Sequence, residues 1–220
     1  MRLRQPIPAA ARFLLHALAL ATAAAAAGAA DGPTFPCGKA QGKVEQAICA
    51  DAGLAARDRQ LHTVYKAASA KATGSLASML RAEQRGWVKG RNDCWKADGL
   101  QTWITATWTV DTVRDCIDAQ YRLRTAELQA VWRLLPRKTV VHACQNNPAN
   151  ELVVHQFASD PATVRLERGD RTATLWQVGA PAAGRFEGRN VGLVQQGGGV
   201  KLSWLDTDSG KTEAIDCQPR

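Results

Sequence analysis

The sequence predicts an α+β protein of two parts, a helical bundle followed by an eight-stranded antiparallel β-barrel. Apolar residues recur every three or four positions up to about residue 133, and short alternating apolar runs replace them after Pro136. A third observation is the even number of cysteines, six, all of which lie after residue 36. An even cysteine count in an exported chain is typical of a fold that is linked by disulfides.

The first 30 residues have the features of a secretory signal peptide. Three arginines precede an apolar run from Phe13 to Ala27, and the small residues 27–30 suit cleavage by a signal peptidase. The apolar run is short for a membrane span, which needs about 20 residues. Pro36 stands directly before Cys37, so the sequence lacks the small residues of a lipid-attachment motif. We therefore predict a mature protein in the periplasm or outside the cell, without a membrane span.

Residues 37–133 are predicted to form a helical bundle, because three main amphipathic helices need a common core. The apolar faces fall, in chain order, on a short segment at 44–49 and on longer ones at 54–68, 76–94 and 110–131. Asp51 or Asp58 can begin the first long helix, and Ser75 is the candidate N-cap of the second. The apolar stripe of the second long helix includes one charged residue, Arg91.

Three tryptophans, Trp95, Trp103 and Trp108, lie among threonines without a clear period. They are either an exposed aromatic patch that contacts a partner or part of a loop that covers the end of the bundle. The sequence leaves both interpretations open.

The second part of the chain has eight short alternating segments separated by turn residues, with starts about 8–12 residues apart, as in a closed antiparallel barrel. The predicted strands are 139–145, 151–157, 163–168, 171–178, 185–188, 191–195, 200–205 and 212–218. Cys144 on the first strand and Cys217 on the last can join the two ends of the sheet, since terminal strands become neighbours in a barrel.

Charge and motif patterns favour a binding protein over an enzyme. The formal charge is +8, or +5 without the three N-terminal arginines, but no dense basic run indicates nucleic-acid binding. The cysteine spacing fits no zinc motif, and His142 and His155, which can face each other on neighbouring strands, lack a third ligand. No catalytic constellation and no phosphate-binding loop is present. We therefore expect no cofactor, no metal and no catalytic residue.

Residues 37–128 resemble the N-terminal domain of the LprI-type lysozyme inhibitors. The resemblance rests on segments around four cysteines: Cys37, Val44–Asp51, Leu54–Asp58, Leu61, Tyr65, Arg81–Trp87, Arg91–Cys94, Cys116–Ile117, Tyr121–Arg124 and Leu128. It implies a helical envelope module over residues 31–135, and it implies the disulfides Cys37–Cys49 and Cys94–Cys116.

Residues 139–220 resemble the MliC/PliC family of C-type lysozyme inhibitors. The matching segments are the strand with Cys144, Asp160–Leu166, Gly184–Gly188, Val200–Trp204 and the terminal Cys217. The resemblance implies an eight-stranded barrel over residues 136–220, in agreement with the strand count. A third disulfide, Cys144–Cys217, is expected to lie within this part.

In the MliC/PliC family a loop enters the lysozyme cleft, where a serine and a lysine engage the catalytic carboxyl groups. Here Ala182 stands at the serine position and Gln196 at the lysine position, and Phe186 replaces a tyrosine. Three nearby cations are candidates to take over the role of the lysine: Arg185, Arg189 and Lys201.

The two resemblances together predict an exported inhibitor that binds C-type lysozyme, blocks its active-site cleft and protects peptidoglycan. The expected contact loops are Gly179–Gly184 and Gln195–Gly199. The expected contact residues are Ala182, Gly184, Arg185, Phe186, Gln195, Gln196 and Gly197. The alternative, which the missing serine and lysine favour, is a non-inhibitory envelope module that binds peptidoglycan or another periplasmic protein.

Overall fold

Four helices precede a closed eight-stranded antiparallel barrel, as the sequence predicts. The fold was obtained as a computed structural model, which describes residues 32–97, 99, 102–103, 109–207 and 209–220. The predicted signal peptide over residues 1–30 lies outside these residues and stays a prediction.

The helices are α1 (Gly42–Ala50), α2 (Ala52–Lys71), α3 (Gly74–Asn92) and α4 (Val113–Val131). Two short paired strands precede α4: β1 (Thr102–Trp103) and β2 (Thr109–Val110). The barrel strands are β3 (Arg137–Cys144), β4 (Asn147–Phe157), β5 (Thr163–Arg168), β6 (Arg171–Gln177), β7 (Arg185–Gly188), β8 (Val191–Gln196), β9 (Gly199–Leu205) and β10 (Thr212–Pro219).

The N-termini of two helices are capped by side chains. The Asp51 carboxylate accepts a hydrogen bond from the Leu54 N–H at 3.0 Å, which makes Asp51 the N-cap of α2. This bond and the Arg114 guanidinium lower the pKa of Asp51. Thr112 caps α4 in the same way, through the Asp115 N–H. The prediction of Ser75 as the cap of α3 is wrong, because α3 already begins at Gly74 and Thr73 precedes it.

Helix α4 packs against both parts of the protein, and most of its residues between Tyr121 and Ala130 are buried. One side, which includes Ile117 and Tyr121, packs into the core of the helical bundle. The other side lies against β5 and β6 of the barrel, where the Leu123 carbonyl accepts a hydrogen bond from Trp176 Nε1 at 3.2 Å. The helices and the barrel are therefore packed together along α4.

Ion pairs border this contact. Arg122 on α4 binds the Asp160 carboxylate in the β4–β5 connection with both Nε and Nη2, at 3.2 and 2.5 Å. Farther along, Arg133 lies 3.2 Å from the Glu167 carboxylate on β5. Whether residues 31–135 and 136–220 fold as separate domains stays a prediction.

The barrel closes between its first and last strands, with each strand antiparallel to its neighbours. Cys217 on β10 is opposite Cys144 on β3, and Val200 on β9 is opposite Cys217. Alternate residues of the strands, among them Leu166, Leu193 and Leu202, fill the interior. The strands were predicted from this same alternation of apolar and polar residues.

Three disulfides join Cys37 to Cys49, Cys94 to Cys116 and Cys144 to Cys217. This is the pairing expected from the sequence. The first two lie within the helical part, and the third links the first and last barrel strands. In the described residues no helix is long and apolar enough to cross a membrane.

The segment around the three tryptophans contains the β1–β2 pair, which the sequence analysis did not predict. Trp95 is 50% exposed, and the Lys96 ammonium lies 5.7 Å from the centre of its ring. Trp103 belongs to β1, and Trp108 lies outside the described residues. The exposure of Trp95 agrees with an aromatic patch but does not by itself indicate a partner.

Candidate functional site

The two expected contact loops, Gly179–Gly184 and Gln195–Gly199, lie side by side at one end of the barrel. They are next to each other because β7 and β8 are paired, with Arg185 opposite Val194. The Gln195 N–H donates to the Gly184 carbonyl at 2.9 Å, which ties the loops together directly. The sequence therefore identified two loops that the fold brings together.

The first loop has a defined shape. Pro181–Ala183 form a 3₁₀ turn, which ends at Gly184 in the left-handed conformation with φ 55°. A Cβ atom at Gly184 would lie 3.0 Å from the Gln195 Cβ, so both the backbone conformation and the close approach require glycine here. The Gln177 side chain donates to the Pro181 carbonyl at 3.1 Å and holds the turn against β6.

The side chains at the tip of the loops offer little hydrogen bonding. Ala182 is exposed and has no polar side-chain atom, and Gln196 is exposed with a neutral amide. Gly197 and Gly198 adopt positive φ angles of 60° and 82° and form the turn between β8 and β9. This end of the barrel therefore presents backbone groups and one amide where the MliC/PliC resemblance implies a hydroxyl and an ammonium.

Arg185 is exposed, but its charge is already engaged. Its Nε and Nη2 donate to Oε1 of Glu187, two residues along β7, at 3.0 and 2.7 Å. The Glu187 side chain is only 8% exposed, so the pair is partly shielded from solvent. An incoming carboxylate must compete with Glu187 for Arg185, which reduces the value of Arg185 as a replacement for the lysine.

The other two candidate cations are separated by the fold. Lys201 on β9 is opposite Val194, which in turn is opposite Arg185, so the three lie in a row across the exposed face. Arg189 lies in the turn between β7 and β8, at the other end of these strands. Lys201 is therefore near the two loops, whereas Arg189 is not.

Phe186 is part of the barrel core and is 7% exposed. It is opposite Leu193 on β8, and its burial fixes the strand that carries Arg185 and Gly184. Phe186 therefore supports the loop from inside the barrel and is not itself exposed.

The helical part contains a buried hydrogen-bond network around Tyr121. The Tyr121 hydroxyl donates to the Asp58 carboxylate and accepts from Arg91 Nη1, both at 2.8 Å. The Thr34 N–H and hydroxyl donate to the other oxygen of Asp58 at 2.6 Å. Burial is the main reason that the pKa of Tyr121 is raised, so the phenol stays protonated. The network joins the N-terminal segment to α2, α3 and α4.

The indole ring of Trp87 packs against the network, but its Nε1 has no hydrogen-bond partner among the described residues. Trp87 packs edge-on against Tyr121 with 5.3 Å between the ring centres, and the Arg91 guanidinium lies over both rings. Trp87, Arg91 and Tyr121 are among the residues that carry the LprI resemblance. They join α3 to α4, with Arg91 and Tyr121 buried and Trp87 half-buried.

The two buried histidines do not form a pair. His142 on β3 is opposite Leu152, an interior residue, and so points into the barrel. His155 on β4 is opposite Thr139 and points outward, where its two ring nitrogens lie 2.9 Å from the Thr139 hydroxyl and 3.2 Å from Glu167. The suggestion that they face each other is wrong because they occupy opposite faces of the sheet. Burial lowers the pKa of His142.

The described residues contain no cluster of three or more histidine, cysteine, aspartate or glutamate residues that can hold a metal ion. The cysteines in them are all in disulfides.

Comparison with protein families gives a match over the helical part. Residues 37–128 match the family model described as "Lysozyme inhibitor LprI". Comparison with curated proteins and with solved structures finds no match. The matched range contains α1 to α4 up to Leu128 and two of the three disulfides, and it ends before the barrel.

The helical part is therefore similar to the LprI lysozyme inhibitors, a class of non-enzymatic inhibitors, over a range that is less than half of the chain. The three disulfides and the match to a lysozyme inhibitor family fit an extracellular or periplasmic location. The MliC/PliC assignment of the barrel stays a prediction, since the matched range does not reach it.

Proposed function

We propose that this protein is an exported inhibitor that binds C-type lysozyme and blocks its active-site cleft. The observation that carries the proposal is the match of residues 37–128 to the LprI lysozyme inhibitors. The barrel supports it, because its strand number and its two exposed loops agree with the inhibitor family that the second part of the chain resembles.

The loops Gly179–Gly184 and Gln195–Gly199 are the proposed contact surface. A lysozyme cleft contains one protonated and one ionised carboxyl group, which accept hydrogen bonds from a hydroxyl, an amide or an ammonium. Gln196 is exposed and can supply an amide donor, and Lys201 lies near enough along the same face to supply a positive charge. Ala182 supplies no polar group, so binding through these loops is expected to be weaker than with the serine and lysine of the family.

We expect the double substitution Ala182→Ser with Gln196→Lys to tighten binding to C-type lysozyme at least about tenfold. A hydrogen bond to a charged group contributes about 1.5–3 kcal/mol, and about 1.4 kcal/mol corresponds to a factor of ten. The measurement is the inhibitor concentration that halves the rate of cell-wall lysis by C-type lysozyme. Both positions are exposed, so the variant should fold like the wild type.

Two matched variants serve as controls. Gln196→Glu has nearly the same size as the native side chain but places a negative charge near the lysozyme carboxylates, so it should weaken inhibition. Ala183→Ser adds the same hydroxyl one residue away in the turn and should have little effect. If the double variant with Gln196→Lys and the Gln196→Glu variant inhibit lysozyme equally well, residue 196 does not face the cleft. The barrel end is then not the contact surface.

A further inference from the structure

A cavity of about 610 Å³ lies between the helices and the barrel, away from the two proposed contact loops. Its walls come from α3 and α4 on one side and from β5, β6, the β7–β8 turn and β9 on the other. The β7–β8 turn is at the opposite end of its strands from Gly184 and Gln196. The volume is in the range of pockets that hold small molecules.

The charges in this cavity are unbalanced. Four arginines and two glutamates line it, which leaves an excess of two positive charges. Both glutamates lie beside Arg124, whose Nη1 donates to Glu127 at 2.7 Å and whose Nη2 is 3.6 Å from Glu83. The excess charge therefore belongs to the three arginines on the barrel side, Arg165, Arg171 and Arg189.

These three arginines form no ion pair with a carboxylate in the part of the chain that the structure describes. Arg165 donates only to the hydroxyls of Thr172 and Thr174, both at 3.2 Å, and burial lowers its pKa. Arg171 lies over the Trp204 ring, 4.4 Å from its centre. Arg165 and Arg171 are half-buried, and Glu167 and Glu127 act on Arg165 only from beyond ion-pair distance. Half-buried guanidinium groups of this kind favour pairing with an anion.

The wall contributed by α4 contains a further unsatisfied donor. Arg124 is 95% buried, and its Nη2 group has no hydrogen-bond partner among the described residues. The same nitrogen lies 3.6 Å from the Glu83 carboxylate, so the charge of Arg124 is paired even though this group lacks a hydrogen bond.

The remaining lining resembles that of a sugar site. The half-buried rings of Trp132 and Trp176 provide apolar surface for sugar rings, whereas the Trp204 ring is buried beneath Arg171. Threonine hydroxyls and Asn190 provide hydrogen-bonding groups. Glu83 and Glu127 can accept hydrogen bonds from hydroxyl or amide groups but repel a multiply charged phosphate. The lining therefore favours a ligand with few negative charges and many donors.

We propose that this cavity binds a carboxylate-bearing saccharide of about two sugar rings. Its carboxylate lies among the barrel-side arginines, where a guanidinium can form two parallel hydrogen bonds with it. The proposal does not depend on lysozyme binding, because the cavity and the contact loops are formed by different residues. Such a saccharide has two plausible sources, a muramic-acid-containing fragment of peptidoglycan and a uronic-acid polysaccharide.

The test is calorimetric titration of the full-length mature protein with three disaccharides in the absence of lysozyme. The probes are N-acetylglucosaminyl-N-acetylmuramic acid, digalacturonic acid and the neutral N,N′-diacetylchitobiose. We expect at least one acidic disaccharide to bind at least about tenfold more tightly than the neutral one. Whichever acidic probe binds more tightly identifies the source.

Arg189→Gln is the main variant, because Arg189 is exposed and its replacement removes a charge without breaking a hydrogen bond or ion pair within the described residues. It should weaken binding of the acidic probe about tenfold. Arg137→Gln, an exposed arginine on β3 that does not line the cavity, should bind like the wild type. The proposal is overturned if neither acidic probe binds, if chitobiose binds equally well, or if a folded Arg189→Gln protein keeps the wild-type affinity.

Discussion

Replacing Asp58 with alanine should lower the free energy of unfolding by about 3–5 kcal/mol. The Asp58 carboxylate accepts hydrogen bonds from the Tyr121 hydroxyl and from both donors of Thr34. Without it these donors lose their acceptor, and the buried Arg91 guanidinium loses the negative charge nearest to it in the network. The effect should be measured by urea unfolding followed by far-ultraviolet circular dichroism.

Asp93→Ala is the matched control for the Asp58 substitution. Asp93 forms an exposed ion pair with Lys96 at 3.0 Å, and such pairs contribute at most about 1 kcal/mol. Tyr121→Phe should lower the free energy of unfolding by an intermediate amount, about 1–3 kcal/mol. It removes the hydroxyl that is hydrogen-bonded to both Asp58 and Arg91. If Asp58→Ala is no more destabilising than Asp93→Ala, the network does not hold the helices together.

Removing the Cys144–Cys217 disulfide by double substitution with alanine should lower the free energy of unfolding by about 4 kcal/mol. The two cysteines are 73 residues apart in sequence, and their bond joins the first and last strands of the barrel. The disulfide therefore restricts nearly the whole second part of the chain in the unfolded state. The same denaturant titration measures the loss.

The Cys37–Cys49 disulfide provides the comparison. Its cysteines are only 12 residues apart, so in the same chain-entropy estimate its removal should cost about 3 kcal/mol. The Cys144–Cys217 disulfide should therefore contribute more to the free energy of unfolding than the Cys37–Cys49 disulfide. An equal or smaller loss on removal of Cys144–Cys217 would mean that strand pairing between β3 and β10 closes the barrel without help from the disulfide.

Much of the fold could be predicted from the sequence because each part has a single clear period. The strands Thr163–Arg168 and Arg185–Gly188 coincide with their predicted ranges, since glycine-containing or polar turns end the alternation on both sides. The β1–β2 pair was missed because strands of two residues are too short to show a period.

Packing between elements was harder to predict. The apolar face of α4 was assigned to the helical bundle, whereas Leu123 and its neighbours form a second face against the barrel. The spacing of apolar residues along a helix indicates that a face is buried, but it does not indicate which element covers that face. Neither this contact nor the cavity beside it was therefore predicted. Arg91, a charged residue within an apolar stripe, was the sequence signal for the buried network.

The two predicted contact loops lie side by side, tied by the hydrogen bond from the Gln195 N–H to the Gly184 carbonyl, while their role as a binding site stays a prediction. Sequence alone could not separate the three candidate cations. The engagement of Arg185 by Glu187 and the distant position of Arg189 depend on side-chain and strand geometry. Lys201 is the cation that remains near the loops.

The most direct test of lysozyme binding at the cleft is a calorimetric competition experiment. Purified mature protein is titrated into C-type lysozyme, first alone and then with the cleft saturated by a chito-oligosaccharide. We expect measurable binding to free lysozyme that is lost or strongly weakened when the oligosaccharide occupies the cleft. No binding to free lysozyme, or equal binding with and without the oligosaccharide, would contradict it.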